Sequence, residues 1–189
     1  DKTYEIPEAA DFTIAQAGKI LPYFEEGKTI GDIVDAIPTA DIIELLTEWI
    51  PKEVLELFPN NQFTELGYQV FAAWATFNES MDVVVKREIE GDVKELDIDG
   101  NTWYVPQDVG ALTTGQVVDC ENFAEKIEDI WAYLPYMLGI ILQRTDWDYT
   151  KGMATDNPVD QFKNVNALKA LQIHFFLQMK NSGYTKSTR

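Results

Sequence analysis

Apolar side chains recur at helical spacing through most of the first 80 residues, in segments separated by proline and glycine. This pattern predicts a string of short helices, over about residues 13–26, 30–36, 39–50, 51–58 and 64–80. Pro22 falls inside the first segment, so a kink or an early helix end is expected there. Thr39 is expected to cap the third segment, and Pro51 suits the first helical position of the fourth.

The period of the pattern changes after residue 80. Val83–Val85 and the stretch from Ile89 to Leu96 are rich in β-branched residues and favour strands. Asp99-Gly100 then separates two short runs of strand-forming residues that end at Val105. This dipeptide is typical of two-residue hairpin turns, which need positive φ angles. We therefore expect a β-hairpin in the middle of the chain.

Helical spacing returns beyond Pro106. A long helix is predicted from about 121 to 144, bent or broken near Pro135, and a last helix is predicted to open near Asn166 and to end at Gly183. The fold class is therefore α+β, mainly α, with an N-terminal bundle of short helices, a central β-hairpin or small antiparallel sheet, and a C-terminal helical part. The change of period suggests a helical subdomain over 1–80 and a hairpin-plus-helix subdomain over 81–189; one continuous domain is the alternative.

The charge balance limits the kinds of partner. The chain has 189 residues, with 32 acidic against 15 basic side chains and a net charge of −17. Such a surface lacks the lysine and arginine that neutralise phosphate, so neither nucleic acid nor an anionic membrane is an expected partner. The apolar run Ile130–Leu142 is too short to span a membrane and contains a proline. A soluble protein is expected, whose acidic surface is either simply hydrated or faces a basic partner.

Few residues suggest chemistry. His174 and Cys120 are the single histidine and the single cysteine of the chain. His174 lies in an apolar helical segment, which indicates a structural role rather than a general base. A Cys–His pair is conceivable in space, but Asp119 and Glu121 flank the cysteine and should raise its pKa. Nucleophilic catalysis is not expected.

Carboxylates suggest two candidate cation sites. Asp97, Asp99 and Asn101 resemble part of a calcium loop, but the glycine is misplaced and a hairpin turn explains them better. Asp146 and Asp148 could hold a divalent cation, which leaves a carboxylate–metal enzyme as an alternative. Because no glycine-rich nucleotide motif, zinc-ligand array or nucleophile elbow is found in the sequence, we expect no cofactor, no metal and no enzymatic activity.

A sequence motif that occurs twice in similar form carries a resemblance to a known family. Thr3-Tyr4-Glu5-Ile6-Pro7 precedes Phe12-Thr13-Ile14-Ala15-Gln16, and Gly100-Asn101-Thr102-Trp103-Tyr104-Val105-Pro106 precedes Leu112-Thr113-Thr114-Gly115-Gln116. Further along stand Leu138-Gly139-Ile140-Ile141-Leu142-Gln143-Arg144, the loop Trp147-Asp148-Tyr149 and the late Phe175-Phe176-Leu177. In this order the motifs resemble a family encoded among the tail and structural genes of tailed bacteriophages. The chain departs from the family where Thr145 stands in place of a proline often found after the arginine.

The resemblance implies a non-enzymatic role in virion assembly, similar to that of a tail assembly chaperone, in the host cytoplasm or in the virion. The partner would be a viral structural protein with a basic surface. The alternatives are a permanent component of the neck, tail or baseplate, and an acidic mimic of DNA that inhibits a host protein. Acidic residues at helical spacing and the aromatic loop supply the predicted partner-binding residues: Asp119, Glu121, Glu125, Glu128, Trp147 and Tyr149.

Overall fold

A computed structural model describes residues 4–5, 8, 11–23, 28–86, 93–153 and 159–186. Within them the chain forms nine α-helices and one two-stranded antiparallel sheet, so the predicted mainly α member of the α+β class is confirmed. The chain divides into two compact units. The first comprises residues 1–12 and 16–80, and the second comprises residues 13–15 and 81–189.

The first five helices follow the proline and glycine spacing. They are α1 (Ile14–Ile20), α2 (Ile30–Ala36), α3 (Thr39–Leu46), α4 (Lys52–Leu55) and α5 (Asn60–Lys86). The early end expected at Pro22 is confirmed, because α1 gives way to a 3-10 turn over Leu21–Tyr23. Helix α2 has the predicted bounds, and Thr29 forms a capping box with Asp32 at its start.

Several expectations for this region are wrong. Helix α5 starts at Asn60 rather than at about 64. Thr39 is the first residue of α3, and Pro38 precedes it as the N-cap; Pro51 likewise precedes α4. Helix α5 continues through Val83–Val85, which were expected to form a strand. No glycine or proline lies between Gly67 and the end of α5, and β-branched residues lower helix stability by only a few tenths of a kcal/mol each. Nothing local therefore ends the helix.

The first unit is built around an aromatic cluster. Trp74 and Phe77, from α5, stack with ring centroids 4.7 Å apart, and Phe12 meets both edge-on at 5.6 Å. All three side chains are fully buried. Burial of each large aromatic side chain stabilises the fold by about 1.5–3 kcal/mol.

The second unit contains the predicted hairpin, in which β1 (Glu95–Ile98) pairs with β2 (Asn101–Tyr104). Asp99 and Gly100 form the turn with φ angles of 53° and 73°, as a two-residue turn of the expected kind requires. Tyr104 also exchanges two backbone hydrogen bonds with Gln143, so the outer edge of β2 is partly covered. The earlier part of the predicted Ile89–Leu96 strand, residues 89–92, lies outside the described residues.

Four helices complete the second unit: α6 (Thr114–Lys126), α7 (Ile130–Ile141), α8 (Tyr149–Gly152) and α9 (Ala167–Lys186). The prediction of one long helix over 121–144, bent or broken near Pro135, is wrong, because two helices cover this region. The break lies before Ile130, where the Asp129 carboxylate accepts a hydrogen bond from the Trp131 N–H and starts α7. Pro135 lies inside α7, where extensive burial of the apolar helix offsets the lost backbone hydrogen bond.

Helix α9 starts where the sequence predicts and ends later. The Asn166 side chain accepts a hydrogen bond from the Lys169 N–H at 3.0 Å, which confirms the predicted opening. The end predicted at Gly183 is wrong, since α9 continues to Lys186. A glycine inside a helix costs only about 1 kcal/mol, which neighbouring residues can offset.

The hairpin is packed into the second unit by a tryptophan cluster. Trp103 is fully buried, and its ring centroid lies 5.1 Å from Trp147 and 5.2 Å from Phe162. The guanidinium carbon of Arg144 lies 4.6 Å from the centroid of the Trp103 ring, in cation–π geometry. Aromatic contacts of this kind join β2 to the segments that follow α7 and α8.

Candidate functional site

Helix α6 presents an exposed row of carboxylates. The Thr113 hydroxyl and the Gln116 side chain form a capping box at the helix start, and the Gln116 amide also donates to the Ile140 carbonyl oxygen at 2.6 Å. Glu121 and Glu125 are exposed one turn apart on this helix, and exposed Glu128 follows just past its end. We call these three residues the α6 acidic row. Within the described part of the chain, none of them has an ion pair.

Asp119 lies apart from the α6 acidic row. Two residues along an α-helix correspond to a rotation of about 200°, so Asp119 and Glu121 project from opposite sides of α6. Asp119 is half-buried, whereas Glu121 is exposed. Of the four predicted carboxylates, Glu121 and Glu125 therefore lie one turn apart on the exposed side of α6, Glu128 is exposed just beyond the helix end, and Asp119 is separate from them.

Trp147 and Tyr149, the two aromatic residues predicted to bind a partner, pack against other parts of the second unit. The Trp147 indole N–H donates to the Gly139 carbonyl oxygen at 3.1 Å, and the ring belongs to the tryptophan cluster. A Cβ at Gly152 would lie 2.3 Å from the Trp147 ring, so the ring sits directly against the α8 backbone. The Tyr149 hydroxyl lies 2.8 Å from the position of a Cβ on Gly115, at the start of α6. Both aromatic side chains are half-buried and contribute only part of their surface to any partner contact.

Asp146 and Asp148 have separate partners. Asp146 receives two hydrogen bonds from the Arg144 guanidinium, at 2.5 Å and 3.2 Å. Asp148 caps α8 by accepting from the Thr150 N–H and hydroxyl, and the hydroxyl hydrogen bond lowers the pKa of the carboxyl. Across the described ranges, no group of three or more His, Cys, Asp and Glu residues is arranged to hold a metal ion.

A cavity of about 230 Å³ lies among α6, α7, α9 and the 3-10 turn Val109–Ala111. We call it the α6–α9 cavity. Its walls are mostly apolar, and its polar lining comes from Glu121, Cys120, Tyr133, His174 and Gln178. The apolar lining residues are Val109, Leu112, Val117, Ala124, Met137, Ile141 and Leu177.

Three polar groups of the cavity are held uncharged: the Cys120 thiol, the Tyr133 hydroxyl and the His174 imidazole. Burial, with a smaller contribution from Asp119, raises the pKa of the Cys120 thiol to about 12. Its partner is the Tyr133 hydroxyl, whose own pKa is raised, mainly by burial. Burial lowers the pKa of His174, whose Nε2 lies 2.9 Å from the Gln178 amide nitrogen. The arrangement supplies neutral hydrogen-bonding groups rather than an activated thiolate.

The sequence-based interpretation of Cys120 and His174 missed the cavity they share. The flanking carboxylates do raise the pKa of the thiol, but burial is the larger cause. The spacing of Val117, Cys120 and Ala124 in the sequence places them on one face of a helix, which could have indicated a shared surface. The pairing of that face with α7 and α9 depends on tertiary contacts that local spacing does not determine.

Among the described residues, no helix has both the length and the apolar character needed to cross a membrane.

Comparison with known proteins finds no relative of this chain. The sequence matches no protein-family model, and neither the curated proteins nor the solved structures give a match.

Proposed function

We propose that the protein is a non-enzymatic assembly protein of a tailed bacteriophage, which binds a basic surface on a viral structural protein through the α6 acidic row. The observation that carries the proposal is the row itself: Glu121, Glu125 and Glu128 are exposed, close in sequence and without ion pairs among the described residues. The order of motifs resembling tail and structural genes supports the viral nature of the partner.

The energetics of the row favour a basic partner. Like charges four residues apart on a helix destabilise it by about 0.2–0.5 kcal/mol, and Glu121 and Glu125 have this spacing. Lysine or arginine side chains on a partner would remove this repulsion. Each exposed pair contributes about 0.2–1 kcal/mol, so three pairs change affinity between about threefold and a hundredfold. The interaction should weaken as salt is added.

The test uses the tagged protein as bait in phage-infected cells. The wild-type protein should enrich one viral structural protein at low salt. The triple variant Glu121→Gln, Glu125→Gln and Glu128→Gln should lose most of that enrichment. A control variant removes the same charge from exposed carboxylates of the first unit: Glu44→Gln, Glu53→Gln and Glu65→Gln.

Mass spectrometry of purified particles then distinguishes the two assembly roles. A chaperone-like protein should be absent from the particles, whereas a permanent component of the neck, tail or baseplate should be present in stoichiometric amounts. If the pull-down enriches no phage protein and the particles do not contain this protein, the proposal is overturned. Equal loss of enrichment in the control variant would exclude the α6 acidic row as the binding surface.

A further inference from the structure

The α6–α9 cavity has the composition of a small ligand site. Ligand sites in proteins are usually concave and apolar, with a few polar groups that set orientation. Val117, Met137 and Ile141 line the apolar part of this cavity, and Tyr133 and His174 add aromatic rings. An engineered apolar cavity of about 150 Å³ binds benzene, so a volume of about 230 Å³ has room for one aromatic ring and a short alkyl chain.

The charge around the cavity selects among such ligands. Of the described residues that line it, Glu121 is the one whose side chain carries a charge at neutral pH. Glu125 follows one turn later on the same helix, and the Asp119 carboxylate lies near enough to the Cys120 thiol to raise its pKa. These carboxylates of α6 attract cations and repel carboxylates and phosphates.

We propose that the α6–α9 cavity binds a small organic cation of the arylalkylamine class. The aromatic ring packs against the half-buried Leu112, Val117 and Leu177, and the buried Met137 and Ile141 lie beneath it. The ammonium group pairs with the Glu121 carboxylate. This site goes beyond the proposed contact with a viral protein, because it needs the apolar lining of the cavity as well as Glu121, which both sites use.

The first experiment compares two probes with the same ring and opposite charge. Protein with isotope-labelled methionine and isoleucine methyl groups is titrated with 2-phenylethylamine and with 3-phenylpropanoate, each to about 10 mM, since fragments of this size bind at millimolar or submillimolar concentration. The amine should shift the methyl signals of Met137 and Ile141 saturably. The carboxylate should bind at least about fivefold more weakly. Met153, which is not among the lining residues, serves as the internal control.

Two matched pairs of variants locate the site. Ala124 is exposed and lines the cavity, whereas Ala132 is exposed on α7 and does not line it. Ala124→Trp should fill the opening and abolish the shifts, and Ala132→Trp should leave them unchanged. Glu121→Gln should weaken amine binding by about two- to fivefold and reduce the preference for the amine, while Glu125→Gln should have a smaller effect.

Clear outcomes overturn the inference. Absence of saturable shifts with the amine, or wild-type binding by the Ala124→Trp variant, would exclude an aromatic ligand in this cavity. Equal binding of the amine and the carboxylate would exclude the selection by charge. Because Glu121→Gln alters only an exposed side chain, it tests the charge argument even where Ala124→Trp lowers stability. The bait experiment can fail independently, because it depends on viral proteins that these titrations do not include.

Discussion

Trp103 anchors the β-hairpin through its side chain. The ring is fully buried, and Trp147, Phe162 and Arg144 pack around it. Truncation of a buried tryptophan removes apolar contacts and leaves a cavity, which costs about 3–5 kcal/mol. We therefore expect Trp103→Ala to lower the free energy of unfolding by that amount in urea titrations followed by circular dichroism.

Tyr104 provides the matched control for this substitution. It follows Trp103 on the same strand, but its side chain is 54% exposed. Tyr104→Ala keeps the backbone hydrogen bonds to Gln143 and should cost about 1 kcal/mol or less. If both variants unfold at the wild-type urea concentration, the packing role of Trp103 is wrong.

Cys120 provides a test of burial at a single atom. Its thiol pKa rises from the ordinary 9.0 to about 12, so at pH 8 the thiolate fraction falls by a factor of about 1,000. Iodoacetamide should therefore modify the folded protein about 1,000-fold more slowly than the urea-unfolded protein at that pH. Because the folded state favours the protonated thiol, this contribution to stability is complete below pH 9 and is lost as the pH rises through 9–12.

The rate should still be rising with pH at pH 10 in the folded protein. Asp119→Asn removes a smaller cause of the raised pKa and should increase the rate modestly. A folded-state rate that reaches a plateau below pH 9 would contradict the assigned burial. This measurement needs no other thiol to be masked, since Cys120 is the single cysteine of the chain.

At the scale of elements, the short helix α8 depends on close contact with an aromatic ring. A methyl group at Gly152 would lie 2.3 Å from Trp147, so either the ring or the helix must move. Overpacking of this kind costs about 1–3 kcal/mol. Gly152→Ala should lower the melting temperature and change the near-ultraviolet circular dichroism of the tryptophans.

Gly67 in α5 is the control position for Gly152→Ala, because a methyl group there has room. A Cβ there would meet Ile42 and Val34 at 3.6 Å, an ordinary contact distance. Gly67→Ala should therefore stabilise the protein by about 0.5–1 kcal/mol, because alanine favours the helix. A loss of stability equal to that of Gly152→Ala would show that the cost at Gly152 does not come from Trp147.

The sequence predicts elements best where strong local chemistry sets their limits. Asp99-Gly100 fixes the hairpin turn, and Pro22 ends α1 because proline lacks the backbone donor. Weaker local features mislead. Gly183 does not end α9, because a glycine inside a helix costs only about 1 kcal/mol. Pro135 does not break α7, because burial of that apolar helix outweighs the lost backbone hydrogen bond.

The candidate site shows the same limit at the scale of the molecule. The helical spacing of acidic residues along α6 predicts an acidic surface, and two of these residues, Glu121 and Glu125, are exposed. The role of Trp147 and the α6–α9 cavity depend on contacts between segments far apart in the chain, such as Trp103 with Trp147 and Gln116 with Ile140. Local periodicity carries no information on those pairings.

The net charge of −17 makes a final prediction about the molecule as a whole. Self-repulsion of this charge destabilises the compact state, and salt above about 0.1 M screens it beyond about 10 Å. Most of the described ion pairs, such as Lys52 with Glu56, are exposed and contribute little, so screening them costs less than relief of the repulsion. Raising sodium chloride from about 0.02 M to about 0.3 M should therefore increase the melting temperature by about 2–8 °C.

Calorimetry across this salt range measures the effect, and the control variant Glu44→Gln, Glu53→Gln and Glu65→Gln separates it from nonspecific salting-out. That variant carries a charge of −14, which is −17 plus the three removed negative charges, and it should show a smaller rise. An equal rise in both proteins would attribute the stabilisation to ion exclusion from apolar surface. A melting temperature that falls with salt would instead mean that the exposed ion pairs outweigh the repulsion, and that the excess carboxylates already have compensating partners within the fold.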